Sequence, residues 1–477
     1  MTRVLEFVVA LIIVFILAVI VGVFLPSHAH IERSIEISHN PQHIYDVLNN
    51  FRRFGDYAGG SLQAQDPRVK YSLSGPAYGP GATLTWNGND TIGNGKLVNK
   101  SGNIDLAGNS TVTWDLTNNW RGENKTFTFT VTPNQRLRVN TVTWGYDVDY
   151  GWNLIDRYSQ LWIHGDPATM IQYGLDSMQN MLAAIPNVDY GKVEPGLYRT
   201  NAMPVLLVST KATRTLDDID SAKAAALKQI DAAMAKLGVK AAGPTTTITT
   251  EWGDTTYTFD LAVPIDNATL TIDGKPYDLT KLTPPPTGEE QAAPASSSSA
   301  ASASSAAGGA SSAAGAASAG APVSGSSTGG PAPGSLDKKN QLIVNANVRA
   351  MMMPSQEVLE ATWTGEAGIP LMRMALKAYA GTHGYQYNEN VDRLYDQLTT
   401  LPTVQDSDQI YRVFLPVQNA PAQTPEQISG RTKPLTALDP SIWSGNNAQP
   451  AESKKAEKGN KKPAARKRPE HKKRHRR

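Results

Sequence analysis

The spacing of apolar positions changes several times along this 477-residue chain, and each change predicts a different element. Phe7 to Leu25 is nineteen residues without a polar side chain. As a helix rising ~1.5 Å per residue it covers most of a ~30 Å hydrocarbon layer. Residues 4–25 are therefore expected to hold the chain in a membrane, within an anchor segment 1–27. A cleaved signal peptide is the competing reading, because Ser27-His28-Ala29 is loosely small-x-small. The apolar core of such a peptide is usually only ~7–15 residues, so the uncleaved anchor is preferred.

Beyond the span the period drops to two. Ile31 to Ile37 alternates as a first strand, and Asn40-Pro41 then supplies an N-cap and a proline for the first helical position. The helix that follows should bury Ile44, Val47 and Leu48. Gly75 to Val98 packs six glycines, two prolines and Trp86 into two strand-like runs and their turns, with Asn87-Gly88-Asn89-Asp90 as the hairpin signal. Taken alone it is a generic hairpin; with its neighbours it is expected to form the mouth of a pocket. Three more alternating runs follow, at Val112-Trp114-Leu116, Phe127-Phe129-Val131 and Val139-Val142-Trp144. A helix opened by Asp166-Pro167, with Asp166 as N-cap, then places Ile171, Leu175, Met178, Leu182 and Ile185 on one face. Such a stripe finds its burial across the concave face of the preceding antiparallel sheet.

A repeat occupies the next stretch. Met203-Pro204 leads through an apolar strand to a helix with Leu227, Ile230, Met234 and Leu237, stopped by Gly238, and then to a strand ending at Pro264. Met353-Pro354 leads to a helix with Leu371, Met374, Leu376 and Tyr379, stopped by Gly384, and then to a strand ending at Pro416. The two Pro-to-Pro spacings are 60 and 62 residues, a period too similar to dismiss. Between the halves, residues 288–335 are almost wholly Ala, Ser, Gly and Pro. That composition cannot bury enough apolar surface to offset its ordering entropy, so it is expected to be a disordered linker with a span of roughly 40 Å.

Net charge sharpens this picture. The chain totals +2, yet Lys454 to Arg477 holds thirteen Lys or Arg against two Glu, so the rest is acidic, at about −9. Residues 419–477 are expected to be a disordered basic tail. It lacks interleaved aromatics, so its partners would be anionic lipid or cell-envelope polymers; nucleic acid becomes a partner only if the tail is cytoplasmic. The absence of cysteine removes disulfides and thiolate metal sites, and the eight histidines show no zinc spacing. No metal and no cofactor is expected.

Residues 30–186 resemble the START-like polyketide cyclase/dehydrase and lipid-transport (SRPBCC) superfamily. The resemblance rests on IERSIEIS, NPQHIYDVLNNF, DPRVKYSLSGPAYGPGATLTWNG and NLIDRYSQLW in that order. It implies a helix-grip domain, a curved antiparallel sheet around a long C-terminal helix, with a cavity between them. Residues 197–283 and 337–418 resemble the two halves of a gyrase-inhibitor-like, AraC-type effector-binding domain. That resemblance implies a pseudo-twofold axis and a small, often cationic, hydrophobic ligand between the halves. The family's glutamate in a late E-x-Y element is replaced here in Arg393-Leu394-Tyr395, which puts cation recognition in doubt. The expected fold is thus α+β: a transmembrane helix, a START-like domain, and a two-repeat effector-binding-like domain interrupted by a linker.

No nucleophile elbow, phosphate loop or dinucleotide fingerprint is present, and no catalytic residue is assigned. His164-Gly165-Asp166 is the one compact polar cluster, read as a loop and helix cap. Candidate ligand-binding residues are Tyr78, Trp86, Trp114 and Trp144 along the first sheet and Trp363 and Tyr395 in the second region. Arg157 joins them as a possible partner for an anionic group. The expected function is membrane-anchored binding or sensing of a small hydrophobic molecule; a polyketide cyclase-like or hydrolase-like enzyme is the alternative. Arg3 ahead of the span favours a cytoplasmic N-terminus, so the expected location is a bacterial inner membrane, single-pass, with the bulk of the chain periplasmic.

Overall fold

A computed structural model describes residues 2–134, 136–191, 193, 195–282, 332–389, 391, 393–400 and 405–419. Most of the expected linker and all but the first residue of the basic tail lie outside these. The chain is α+β with large antiparallel sheets and one apolar N-terminal helix. Its first part runs α1 (Thr2–Phe24), β1 (His28–Ile37), α2 (Pro41–Leu48), α3 (Gly59–Gln65), β2 (Lys70–Ser74), β3 (Thr83–Asn87), β4 (Asn94–Ile104), β5 (Ser110–Thr117), β6 (Glu123–Asn134), β7 (Val139–Asp149), α4 (Leu154–Tyr158) and α5 (Asp166–Ala183). The second part runs β8 (Gly196–Arg199), β9 (Met203–Thr213), α6 (Leu216–Leu237), β10 (Thr246–Trp252), β11 (Thr256–Pro264), β12 (Thr269–Ile272) and β13 (Lys275–Asp278). It resumes with β14 (Leu342–Ile343), β15 (Val348–Met353), β16 (Glu357–Thr364), α7 (Ile369–His383), β17 (Tyr395–Leu398) and β18 (Ile410–Pro416).

The first sheet is antiparallel throughout, in the order β1-β7-β6-β5-β4-β3-β2. Asn40 caps α2 by accepting from the Gln42 amide at 2.9 Å, and Ile44, Val47 and Leu48 are buried. Helix α5 packs against β1 and β7 with Ile171, Leu175, Met178 and Leu182 fully buried. Its N-cap is Gly165, not Asp166. The helix starts one residue early, and the exposed Asp166 is its first residue and makes no capping bond.

The sheet's inner face carries rings rather than space. Trp114 lies 4.4 Å from Phe129 and 4.8 Å from Phe51, and Trp144 lies 4.6 Å from Phe129 and 5.2 Å from Phe127, centre to centre. Gly174 on α5 makes this packing possible, because a Cβ there would sit 2.4 Å from Trp144 Cζ3. In the segment from Gly75 to Val98 the Gly79 amide donates to Asn49 O and the Gly81 amide to Asn99 O, both at 2.8 Å, while Trp86, Thr91 and Ile92 border a small cleft. These bonds tie the loop to the end of α2 and to β4.

Nine strands form the second sheet, in the order β14-β15-β9-β11-β10-β17-β18-β16-β8. Strands β9, β10 and β11 with α6 match β16, β17 and β18 with α7 about an axis between β10 and β17. Both helices end on glycine in the left-handed region, Gly238 and Gly384, each at φ 70°. Glycine adopts this conformation without the penalty a Cβ brings. The Met-Pro equivalence read from the sequence is offset. Met203 and Met353 are cross-strand partners, because β15 pairs with β9 while β8 pairs with β16. The strand ahead of each half is thus exchanged to the other half. The chain is already hydrogen-bonded at Gly334, whose amide donates to Ile343 O at 2.8 Å, so the expected linker ends before residue 335.

Helix α2 packs on α7 and joins the two sheets. His43 stacks on Tyr190 at 4.5 Å, Tyr379 stacks on His383 at 3.8 Å, and Tyr190 Oη donates to Asp46 at 2.6 Å. Burial pushes His43 and His383 down to about 4; neighbouring His39 adds to this for His43, and His43 and Arg52 do so for His383. Burial also pushes Asp46 up to about 6, against its bonds from Tyr190 and Gln42. Further titratable groups at this seam include Tyr45, Tyr78, Tyr385 and Asp189.

Two predictions follow from this packing. Gly174→Ala gains up to ~1 kcal/mol of helix propensity, but overpacking against Trp144 costs about 1–3 kcal/mol. The variant should therefore lower the denaturant midpoint. For the seam, a histidine depressed in the fold stabilises above its unfolded value and loses that contribution as pH falls from 6.5 towards 4. Asp46, raised in the fold to about 6, does the opposite from there downward. Three lowered histidines, His39, His43 and His383, outweigh one carboxyl, so Tm should fall between pH 6.5 and 4, and Asp46→Asn should steepen the fall.

Candidate functional site

The two strands at the centre of the nine-stranded sheet set the floor of a cleft. In the β10–β17 register Thr247 stands opposite Asp396, with Thr246 opposite Gln397 and Ile248 opposite Tyr395. Side chains alternate across a strand, so Thr247 and Asp396 share one face and Ile248 and Tyr395 share the other. Helices α6 and α7 form the walls on the Asp396 side. The enclosed volume is about 260 Å³, lined by Leu216, Ile219, Trp252, Tyr257, Ile369 and Pro370 together with five charged side chains.

Each wall contributes a cation at the spacing of an apolar stripe. Lys223 follows Ile219 by four residues on α6, and Arg373 follows Ile369 by four on α7, so both point inward. Arg373 Nη2 donates to Asp396 and, at 3.1 Å, to Tyr257 Oη. Its guanidinium also lies 5.5 Å from the Tyr257 ring and 5.7 Å from Trp252. Lys223 is paired with Glu366, which stands ahead of α7.

Burial works against the Lys223 ammonium, but Asp396 and Glu366 more than offset it and hold its pKa above the ordinary lysine value. The same balance, with Asp396 as the main opposing charge, raises Arg373. Both cations are therefore charged at any physiological pH. Burial raises the Tyr257 phenol against the nearby Arg373 charge, so it stays protonated as a hydroxyl.

A third cation completes the rim. Arg214 lies 4.3 Å over the Trp252 ring and donates to the carbonyls of Gly253 and Asp254 at 3.2 and 3.1 Å. The cleft thus holds three cations against two carboxylates, an excess of one positive charge. Arg373 Nε is buried and has no acceptor among the described residues; a buried N–H without an acceptor costs about 1–3 kcal/mol.

None of the residues singled out from the sequence lines this cleft. Tyr395 is buried on the opposite face, stacked on Phe414 at 4.7 Å, because it stands one position out of phase with Asp396. Trp363 is half-buried against the apolar cluster beneath α7. Trp114 and Trp144 are fully buried in the first sheet's aromatic cluster, and Trp114 Nε1 donates to Leu48 O at 3.1 Å. Tyr78 is half-exposed, with its ring 6.3 Å from His383. Trp86 alone borders an opening, a cleft of about 110 Å³ shared with Leu116, Trp120 and Met170. His164 is exposed.

The Arg157 guanidinium is held by backbone carbonyls. It donates from Nη1 to Val23 O at 2.9 Å and Leu25 O at 3.2 Å, and from Nε to Gly151 O at 2.8 Å.

The sequence matches no protein-family model and no curated protein. Part of the chain is similar to several small solved structures. A protein from Thermobifida fusca solved by NMR is 17% identical, covering 31% of this chain and 90% of its own, at a TM-score of 0.24. XoxI from Bacillus cereus is 12% identical, covering 33% and 96%, at 0.23. Norcoclaurine synthase from Thalictrum is 11% identical, covering 32% and 94%, at 0.25. Likeness of this degree assigns no family.

Removing one partner of a buried ion pair strands the other charge, at about 3–5 kcal/mol. Asp396→Ala should destabilise the chain by that order in denaturant unfolding. Replacing both partners, Arg373→Met with Asp396→Leu, should recover most of the loss, since a hydrophobic pair of similar volume is often neutral or stabilising.

Proposed function

We propose that this chain is a membrane-anchored receptor or carrier for a small, largely apolar molecule, held in the cleft between α6 and α7. In this reading residues 30–186 form a START-like helix-grip unit, and the two repeats form an effector-binding-like unit. Packed rings fill most of the first unit's inner face, so ligand binding is assigned chiefly to the cleft of the second. The Trp86 opening is a smaller subsidiary site.

The observation that carries the reading is the aromatic-walled cleft on which Arg373 and Arg214 converge, with one positive charge in excess of its carboxylates. Apolar walls with a few converging polar groups are what small-molecule sites require. A volume of about 260 Å³ lies just below the usual range of ~300–1,000 Å³, so the ligand is compact. Trp252 and Tyr257 suit a flat ring. Arg373 and Arg214 suit a carboxylate or carbonyl oxygen. Both carboxylates already have cationic partners, so the site favours an aromatic acid over the corresponding amine.

The anchor reading gains support from the way α1 meets the folded chain. Leu25 to Ser27 is the whole connection between α1 and β1, and the Tyr150 amide donates to Ser27 O at 2.7 Å. Cleavage at Ser27-His28-Ala29 would remove the first residues of β1 and the bonds of Arg157 with them.

Purified full-length chain in nanodiscs should be titrated with paired aromatic acids and amines, such as naphthoate and naphthylamine, with Tm and Trp fluorescence as readouts. Acids should raise Tm, and Arg214→Ala should weaken their binding about tenfold, the equivalent of ~1.4 kcal/mol. Trp252→Ala should weaken both classes. Equal binding of acid and amine would overturn the charge preference. No binding by any compound, with no co-purified small molecule by mass spectrometry, would overturn the receptor reading.

A further inference from the structure

The end of α1 is built into the folded chain. Helices leave their last carbonyls without partners, and here Arg157 takes two of them, at Val23 and Leu25. Tyr158 Oη donates to Ala18 O at 2.6 Å. Gly22, the one buried residue among those described on α1, faces Leu154 and Tyr158, and an added Cβ would lie 3.2–3.3 Å from both. Helix α4 therefore lies along the last turns of α1. Ala18 precedes Phe24 by six residues, which is about 9 Å along the axis at ~1.5 Å per residue.

Three large apolar side chains on and beside α4 are uncovered, next to the exposed Asn153 and an Asp156–Arg121 ion pair. Trp152 is 84% exposed, Ile155 66% and Leu161 61%. Arg157 lies 4.9 Å from the Trp152 ring. Tryptophan, tyrosine and arginine are the residue types that settle at a membrane–water boundary, with rings and stems among the acyl chains and polar ends outside.

We propose that the segment from Gly151 to Leu161 is a membrane-docking platform that inserts Trp152, Ile155 and Leu161 into the interface of the bilayer spanned by α1. This inference rests on α1 being membrane-embedded. The occupant is fixed by continuity, since α1 exposes apolar side chains along its whole length and α4 is hydrogen-bonded to its end. The stretch of α1 that α4 covers, about 9 Å from Ala18 to Phe24, is comparable with the ~5–10 Å to which interfacial helices bury. The platform also fixes how the rest of the chain stands, because β1 begins three residues beyond Leu25 with no spacer. Arg157 is thereby a positioning residue for the membrane anchor.

The chain has no cysteine, so single substitutions report one position each. Ile13→Cys, Ile155→Cys, Leu161→Cys and Leu106→Cys would each be spin-labelled in the full chain in phospholipid nanodiscs. Their collision with oxygen and with a water-soluble nickel chelate would then be compared. Leu106 is an exposed leucine in the β4–β5 turn, at the opposite end of the strands from Asp149. Labels at 155 and 161 should favour oxygen, as the label at 13 does, while 106 favours the chelate by several fold. The platform is overturned if 155 and 161 match 106 while 13 remains lipid-exposed. A chelate-accessible label at 13 would overturn the anchor reading and the platform with it. Dipolar broadening at 155 that disappears on dilution with unlabelled chain would instead assign the face to a second copy.

Discussion

Where β10 meets β17, Thr247 stands opposite Asp396, and the alternation of side chains leaves no freedom about what faces the helices. A slip of β17 by one residue would turn Tyr395 towards α7 and send Asp396 to the other side, leaving Arg373 without its closest carboxylate. The strand register, the ion pair and the floor of the cleft are thus one constraint. The exchange of β8 and β15 reinforces it, because each half completes the sheet of the other and neither can shift along the axis independently.

Much of this was legible in the sequence where a long period was at work. The helix faces of α2, α5 and α6 follow from stepping by three and four, and Gly238 and Gly384 end their helices as expected, since a left-handed cap favours glycine. Single strand residues were less legible. Tyr395 was favoured as a ring of the right type in a suggestive motif, yet whether a strand residue faces a cleft depends on a parity that only pairing with β10 sets. The same holds for Trp114 and Trp144, which follow the correct alternation but meet other rings where a cavity was expected. Whether an inward-facing surface encloses space is a sum over side-chain volumes from distant elements, and a local pattern does not contain it.

The cleft residues did leave a signal of a different kind. Lys223 and Arg373 each sit four residues after a buried isoleucine, on the face of a helix that otherwise buries apolar side chains. A charge at a core spacing needs a partner, and the partners lie far away in sequence, at Glu366 and Asp396. The anomaly was readable, but the resolution of it was not. Arg157 is a similar case. The expectation was an anionic partner or ligand, and what holds its guanidinium instead is backbone carbonyls, two of them at the end of α1, about 130 residues earlier.

Hydrophobic side chains could hold α6 and α7 to the sheet at least as well as two buried ion pairs do, since desolvation consumes much of the Coulombic gain. Stability therefore does not account for Lys223, Glu366, Arg373 and Asp396 meeting in one seam. Folded chains break local rules mainly where function requires it. A preorganised pair of cations, already desolvated and fixed by their carboxylates, can meet a ligand oxygen without further ordering of flexible side chains. The ion pairs hold the guanidinium still, and the positive charge left over once both carboxylates are paired is what the cleft can offer a ligand. That surplus is the physical ground for proposing the cleft as a binding site with the pairs around it as its scaffold.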